Sequence, residues 1–252
     1  MTDKQKQFIE NNIDLVEQEN WEKFFNACPP GTGYYLYSSG VDFLSDVKQL
    51  KSGMFAESEI DTIVVPENIE LIFNSAFSYC SELKQITFCS PVKLHDSFKG
   101  CSKLDTIVIP NISVWLNMEG SYAVLRSLLG RVPNLICDNV ILKDVRIPEG
   151  TPHIRGCCFS SYKGIESIII PQSVQRVYSA AFTGCVNLKN ITILNPNIIL
   201  EGASFWEMGN GVFINFAGTK EQWKTACDKD AFYLTYYTVQ CTDGRLTKRK
   251  RS

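Results

Sequence analysis

Apolar residues recur along this chain in one short phrase. In six places they alternate with polar or β-branched residues: Ile60-Asp61-Thr62-Ile63-Val64-Val65-Pro66, Leu83 to Phe88, Leu104-Asp105-Thr106-Ile107-Val108-Ile109-Pro110, Leu142 to Pro148, Ile165 to Pro171 and Leu188 to Ile193. Alternation of this kind predicts a short strand with one buried face, and a proline directly after it stops the strand by removing the next N–H donor. After each strand a second apolar pair precedes a phenylalanine, as with Ile69 and Ile72 before Phe77, or Val174 and Val177 before Phe182. The pair reads as the opposite wall of a coil. The phenylalanine, with Ala76 or Ala181 ahead of it, reads as the filling of a corner.

The spacing of these phenylalanines sets the architecture. Phe55, Phe77, Phe98, Phe159, Phe182 and Phe205 are separated by 22, 21, 61, 23 and 23 residues, one short period with a single interruption. A fixed period between about 20 and 29 residues is the signature of a leucine-rich-repeat solenoid, whose units cannot bury an apolar face alone. The expected fold is therefore an α/β-type solenoid, mainly β: a right-handed array of about six to seven coils carrying one parallel sheet at about 4.8 Å per coil.

Flanking segments complete the expected layout. Phe8, Ile9, Ile13, Val16, Phe24 and Phe25 return at helical spacing with Trp21 between them, which predicts a helix from Thr2 to about Ala27, ended by Pro29, Pro30 and Gly31. It would cover the first open coil, with a partner-binding helix as the second reading. Gly33 to Gln49 continue this cap as a loop and a shorter helix. The interruption predicts a helix from about Tyr122 to Leu129, then a hairpin or irregular coil through Leu135, Ile136 and Asn139. A helix with Trp223 and Ala226, then a strand pair from Tyr233 to Cys241 and Arg245 to Thr247, closes the far end. The expected segments are 1–52 (helical cap), 53–111 (repeats), 112–140 (insertion), 141–217 (repeats), 218–246 (cap) and 247–252 (basic tail).

The series I-x-V-P-x-x-I-x-x-I-x-x-x-A-F-x-x-C-x-x-L-x-x-I runs from Ile63 to Ile86 and again from Ile168 to Ile191. It resembles the BspA-like leucine-rich repeat, a family of bacterial surface proteins and of proteins from anaerobic protists. The ending Phe216-Ala217-Gly218-Thr219-Lys220-Glu221-Gln222-Trp223, followed by T-V-Q-C-T-D-G from Thr238 to Gly244, is similar to the C-terminal cap of many bacterial members. The resemblance implies the solenoid and is nearly silent on activity, since partners are set by exposed residues. The chain departs from the pattern where the proline is displaced to Pro91 and Pro196, and where Ser58, Tyr162 and Met208 replace the turn cysteine.

Composition narrows the chemistry. A net charge of -2 gives no general attraction to nucleic acid or an anionic membrane, and only Lys248 to Arg251 form a basic run. The polar start from Met1 to Glu10 carries no secretory signal, and no apolar run is long enough to span a bilayer, so the expected location is cytoplasmic. Of ten cysteines, Cys80, Cys101 and Cys185 each follow a repeat phenylalanine by three residues and read as small buried packing groups rather than disulfides or metal ligands. Only two histidines are present, His95 and His153, and no phosphate-binding, dinucleotide, zinc or hydrolase motif appears. No catalysis and no cofactor are expected.

What the repeat leaves free is the outward side of each strand. One outward column is Val64, Thr87, Val108, Arg146, Ile169 and Thr192; the one before it is Thr62, Gln85, Thr106, Asp144, Ser167 and Asn190. β-branched residues favour strands whether or not anything binds there. Val64, Val108 and Ile169, however, are expected to form an apolar stripe that solvent does not require. This face, or the adjoining Trp115 loop, is the expected contact for a protein partner, in an inhibitor or adaptor of bacterial or bacterial-virus origin. A surface adhesin is the alternative, and nucleic-acid binding through the basic tail is the third reading.

Overall fold

A computed structural model of the chain describes residues 1–121, 124, 133–209, 211–228, 230–232 and 236–248. It divides into two units, Met1–Pro110 with Asn117–Pro133 and Asn111–Leu116 with Asn134–Ser252. Each is a stretch of mainly β solenoid.

In the first unit the strands are β1 (Gln49–Leu50), β2 (Thr62–Val65), β3 (Leu71–Ile72), β4 (Gln85–Phe88), β5 (Lys93–Leu94) and β6 (Thr106–Ile109). The main sheet runs β2-β4-β6, all parallel, with Ile63, Ile86 and Ile107 in one register row and Val64, Thr87 and Val108 in the next. β1-β3-β5 form the opposite wall, also parallel. Alternation does the sorting: Ile63, Val65, Ile86, Phe88, Ile107 and Ile109 are buried between the walls.

The N-terminal cap differs from the single helix expected. It is broken into helices at Asp3–Asn11, Ile13–Glu17, Trp21–Phe25 and Thr32–Ser38. The breaks have local causes, because short amide side chains compete with the helix ladder. The Asn12 amide donates to the Phe8 carbonyl, Glu19 adopts a left-handed φ of 55°, and Asn20 accepts from the Lys23 N–H to restart the next helix. The pieces still bury the expected aromatics: Trp21 stacks on Phe25 at 6.0 Å, and Phe25 meets Phe43 at 4.8 Å. Gly31 and Gly33 donate their N–H groups to the carbonyls of Gly53 and Met54, seating the cap on the first coil. A side chain at Gly31 would stand 2.7 Å from the Ala56 carbonyl oxygen, which explains the glycine.

The second unit contains β7 (Asn134–Cys137), β8 (Val140–Ile141), β9 (Asp144–Arg146), β10 (His153–Ile154), β11 (Ser167–Ile170), β12 (Arg176–Val177), β13 (Asn190–Ile193), β14 (Ile199–Leu200), β15 (Val212–Phe216), β16 (Tyr237–Cys241) and β17 (Gly244–Lys248). β7 and β8 form an antiparallel hairpin turned by Asp138 and Asn139, both left-handed. The main sheet runs β9-β11-β13-β15-β16-β17, parallel except for the last pair. β10-β12-β14 make the opposite wall, carried on by a bridge from Leu200 to Cys227. A helix at Lys220–Ala226 starts from a Thr219–Gln222 capping box and buries Trp223 and Ala226. The helix expected from Tyr122 to Leu129 and the start of the closing strand at Tyr233 fall largely outside the described residues.

The corner is the most regular element. Phe55, Phe77 and Phe98 stack at centroid distances of 5.1 and 5.3 Å in the first unit. Phe159, Phe182, Phe205 and Phe232 stack at 5.3, 5.0 and 4.7 Å in the second. All seven are fully buried, and their ring planes lie within 13° of parallel. Left-handed residues bracket the ring two positions before and two after: Ser75 and Tyr79 around Phe77, Cys157 and Ser161 around Phe159, Ala180 and Gly184 around Phe182, Ala203 and Glu207 around Phe205. For non-glycine residues that conformation costs about 1–2 kcal/mol each, so burial of the ring must hold the bends in place.

Two stability outcomes follow. Phe182→Ala leaves a void between Phe159 and Phe205 and is expected to lower unfolding free energy by about 3–5 kcal/mol in a urea titration. At the bends, Gly184→Ala is expected to cost about 1 kcal/mol, since φ is 72° and the new methyl would meet Ser161, whereas Ala180→Gly is expected to be neutral or stabilising.

Candidate functional site

The outward face of each main sheet follows from register. In the first unit the columns are Thr62, Gln85, Thr106 and Val64, Thr87, Val108. In the second they are Asp144, Ser167, Asn190, Phe213, Thr238, Thr247 and Arg146, Ile169, Thr192, Asn215, Gln240, Arg245. Every one of the strand positions expected to point outward is exposed or half-buried.

Two expectations change. Val64, at 51% exposure, and Val108 are separated by Thr87, while Ile169 lies between Arg146 and Thr192. The apolar residues are therefore isolated among polar neighbours within each unit and form no stripe. Trp115 is not a surface residue: it is 1% exposed on the helix Ile112–Asn117, and its indole N–H donates to the Cys158 carbonyl at 2.9 Å. Its size and single donor suit a buried plug with one polar tether.

Sequence reading missed the far half of the second-unit face. Phe213, 39% exposed, stands between Asn190 and Thr238, and Asn215 between Thr192 and Gln240. Val212 to Phe216 alternates like the other strands, but no proline closes it. Several polar residues on this face already have partners: Ser167 donates its hydroxyl to Asp144, and Arg245 donates to the Gln240 side chain at 3.4 Å.

The opposite walls hold self-satisfied clusters. Arg176 donates to Glu201 at 2.7 Å and lies over the Tyr178 ring, whose edge meets His153. The guanidinium, helped by the Ser179 N–H and hydroxyl, holds the Glu201 carboxyl below its ordinary range. In the first unit Lys51 sits over Phe73, and Phe73 stacks on His95. Among the described residues no group of three or more His, Cys, Asp or Glu could hold a metal ion, and no helix is long and apolar enough to cross a membrane. In the basic tail Lys248 is committed, donating to the Phe232 carbonyl at 3.2 Å; Arg249 to Arg251 lie outside the described residues.

A family model described as the BspA type leucine-rich repeat region matches residues 35–118 and 132–237 in six copies, more than half of the chain. The chain belongs to the BspA-type leucine-rich repeat family. Its match begins inside the stretch expected as helical cap and resumes inside the expected insertion. Among solved structures, a leucine-rich repeat protein from Bacteroides ovatus ATCC 8483 is 18% identical with a TM-score of 0.40, covering 68% of this chain and 56% of that one. The pneumococcal vaccine antigen PcpA is 14% identical with a TM-score of 0.38, covering 81% of this chain and 45% of that one. This chain thus spans about half the length of those two. No curated protein matches it.

Within the BspA-type coil the turn cysteine has a definite task. Cys80, Cys101 and Cys185 each donate a thiol hydrogen bond of 3.0 Å to the carbonyl of the corner phenylalanine one coil back, namely Phe55, Phe77 and Phe159. Where Tyr162 replaces the cysteine, its hydroxyl donates instead to the Leu142 carbonyl at 3.0 Å. Where the proline is displaced to Pro196, buried Asn195 donates to the Val174 carbonyl at 2.8 Å, so these two departures from the family pattern are met by hydrogen bonds.

Burial raises the Cys185 thiol and pushes Cys158 up from 9.0 to about 12, whereas the hydrogen bond from Cys101 lowers Cys80. Cys101 itself is raised by the adjacent Cys80 and by burial. A thiol whose value is higher folded than unfolded stabilises the fold fully below the unfolded value, and that contribution is lost as pH rises through the unfolded and then the folded value. Urea midpoints are therefore expected to fall between about pH 9 and about pH 12, with Cys158→Ala and Cys185→Ala flattening the fall. Aromatic disulfide reagents are expected to label Cys80, Cys101 and Cys185 only on unfolding.

Proposed function

We propose that this BspA-type chain is a non-catalytic module that binds a partner protein through the outward main-sheet face of its second unit. One internal contrast carries the reading. Along β9, β11, β13, β15 and β16 the inward row is uniformly aliphatic, Val145, Ile168, Ile191, Ile214 and Val239, whereas the outward residues in register range from the charged Asp144 and Arg146 through the apolar Ile169 and Phe213 to the amides Asn215 and Gln240. The fold constrains the first row and leaves the second open to selection by something outside. The first unit's outward columns vary less, being mostly threonine and valine.

Ile169 and Phe213 are the anchors of this face: both are apolar, and each is ringed by polar neighbours able to close around a buried contact. A rigid surface of this type acts by occupying its partner, as an inhibitor or an adaptor. Affinity capture from host lysate is expected to retain a specific protein with the wild-type chain. Ile169→Lys combined with Phe213→Lys is expected to weaken that capture about thirtyfold or more, while Val108→Lys in the first unit leaves it unchanged. Equal capture by all three forms, with melting transitions intact, would remove the second-unit face from consideration.

A further inference from the structure

The opposite wall of the first unit begins at an open edge. Its strands run β1-β3-β5 with β1 at the end, and each later coil donates N–H groups back to the coil before it. Glu70 donates to the Lys48 carbonyl at 2.8 Å and Phe73 to the Leu50 carbonyl at 2.9 Å; Lys93 and His95 repeat the step onto Glu70 and Ile72. The equivalent groups of the first coil are the N–H groups of Lys48 and Lys51, and among the described residues neither meets an acceptor. The N-terminal cap does not fill that place. It seats on the corner, through Gly31, Gly33 and the stacking of Phe43 on Phe55 at 6.1 Å, and it leaves a cleft of about 470 Å³ along β1. Every residue of the cap and of this wall is described.

Charge selects the occupant. The helix Trp21–Phe25 lines one side of the cleft, and Glu19, Glu22 and Asp46 stand at its rim, all exposed. Among the described residues none of these three carboxylates pairs with a cation; Asp46 accepts the Trp21 indole N–H at 3.3 Å, which holds it in place. The two lysines of the wall are engaged elsewhere. Lys48 pairs with Glu70 at 3.1 Å, while Lys51 donates to the Gln49 side chain at 3.2 Å and lies over the Phe73 ring. We infer that the cleft takes an extended, lysine- or arginine-bearing segment of a partner protein, laid parallel to β1 in the place of a preceding coil. Its carbonyls at alternate positions accept from the Lys48 and Lys51 N–H groups, as the carbonyls of Lys48 and Leu50 accept from the next coil. Its basic side chains meet the unpaired carboxylates at the rim. Main-chain bonds supply affinity without regard to sequence, and the carboxylates supply the selection. The site lies wholly in the first unit and goes beyond the second-unit face.

Titration calorimetry of the full chain with short blocked peptides is the test. A peptide of alternating lysine and valine is expected to bind, and one of alternating glutamate and valine to bind about tenfold more weakly or worse. Glu22→Gln combined with Asp46→Asn is expected to weaken the lysine peptide about fivefold, a difference that shrinks at high salt. Backbone pairing is read separately from charge. N-methylation of the alternate peptide nitrogens that face β1 is expected to abolish binding, and N-methylation of the other set to leave it nearly unchanged. Hydrogen exchange at the Lys48 and Lys51 amides is expected to slow when the lysine peptide is added. The second-unit variant, Ile169→Lys with Phe213→Lys, is expected to bind the peptide as the wild type does, and melting of each variant verifies its fold. No binding of the lysine peptide, equal binding of the glutamate peptide, indifference to the two carboxylate substitutions in folded protein, or equal effects of the two N-methylated sets overturns the inference.

Discussion

Everything in this protein depends on the corner phenylalanine and the bends that hold it. A coil of some twenty residues has no core of its own, and its hydrophobic contacts are complete only when the ring above and the ring below are present. Stacking at 4.7–5.3 Å matches the spacing of neighbouring strands, so ring contact and backbone pairing reinforce each other instead of competing. The left-handed residues on either side are the cost of turning the chain around so bulky a group. Most are not glycine, and their strain is offset by the buried ring they enclose.

The thiols belong to the same device. A cysteine three residues past the ring reaches one coil back and donates to the carbonyl of the previous phenylalanine; at Phe77 and Phe159 this is a second bond beside the one that carbonyl accepts within its own turn. Ion pairs between equivalent positions of adjacent coils, such as Lys48–Glu70, Lys103–Glu82 and Lys143–Glu166, follow the same one-coil step, but they are exposed and add little.

The repeat was legible because its period is written in large, buried residues. Phe77 and Phe182 announce their own spacing, and the alternation around Ile63 or Ile168 declares which side faces in. Phe232 escaped because a helix replaces part of its coil and lengthens the step, although its ring completes the same stack. The N-terminal breaks escaped because the apolar period continues through Asn12 and Asn20, while side-chain hydrogen bonds at those two residues decide the backbone. Trp115 was misplaced for a different reason: outside the repeat no register says which side is buried, and a tryptophan suits a core and a contact surface equally. The outward face was legible in position and not in composition, since residues that the coil does not bury are not constrained by the neighbouring coils.

The direction of the backbone hydrogen bonds has a mechanical consequence. In the second unit the bonds of β9, β11, β13, β15 and β16 run from coil to coil, along the line in which the coils are stacked. A pull across the coils loads many of these bonds together. A pull along the stack loads one coil boundary at a time, and the coils peel off in sequence from the ends. Such a module is stiff as a platform and weak as a tether, and the orientation in which it is held decides which of the two it is.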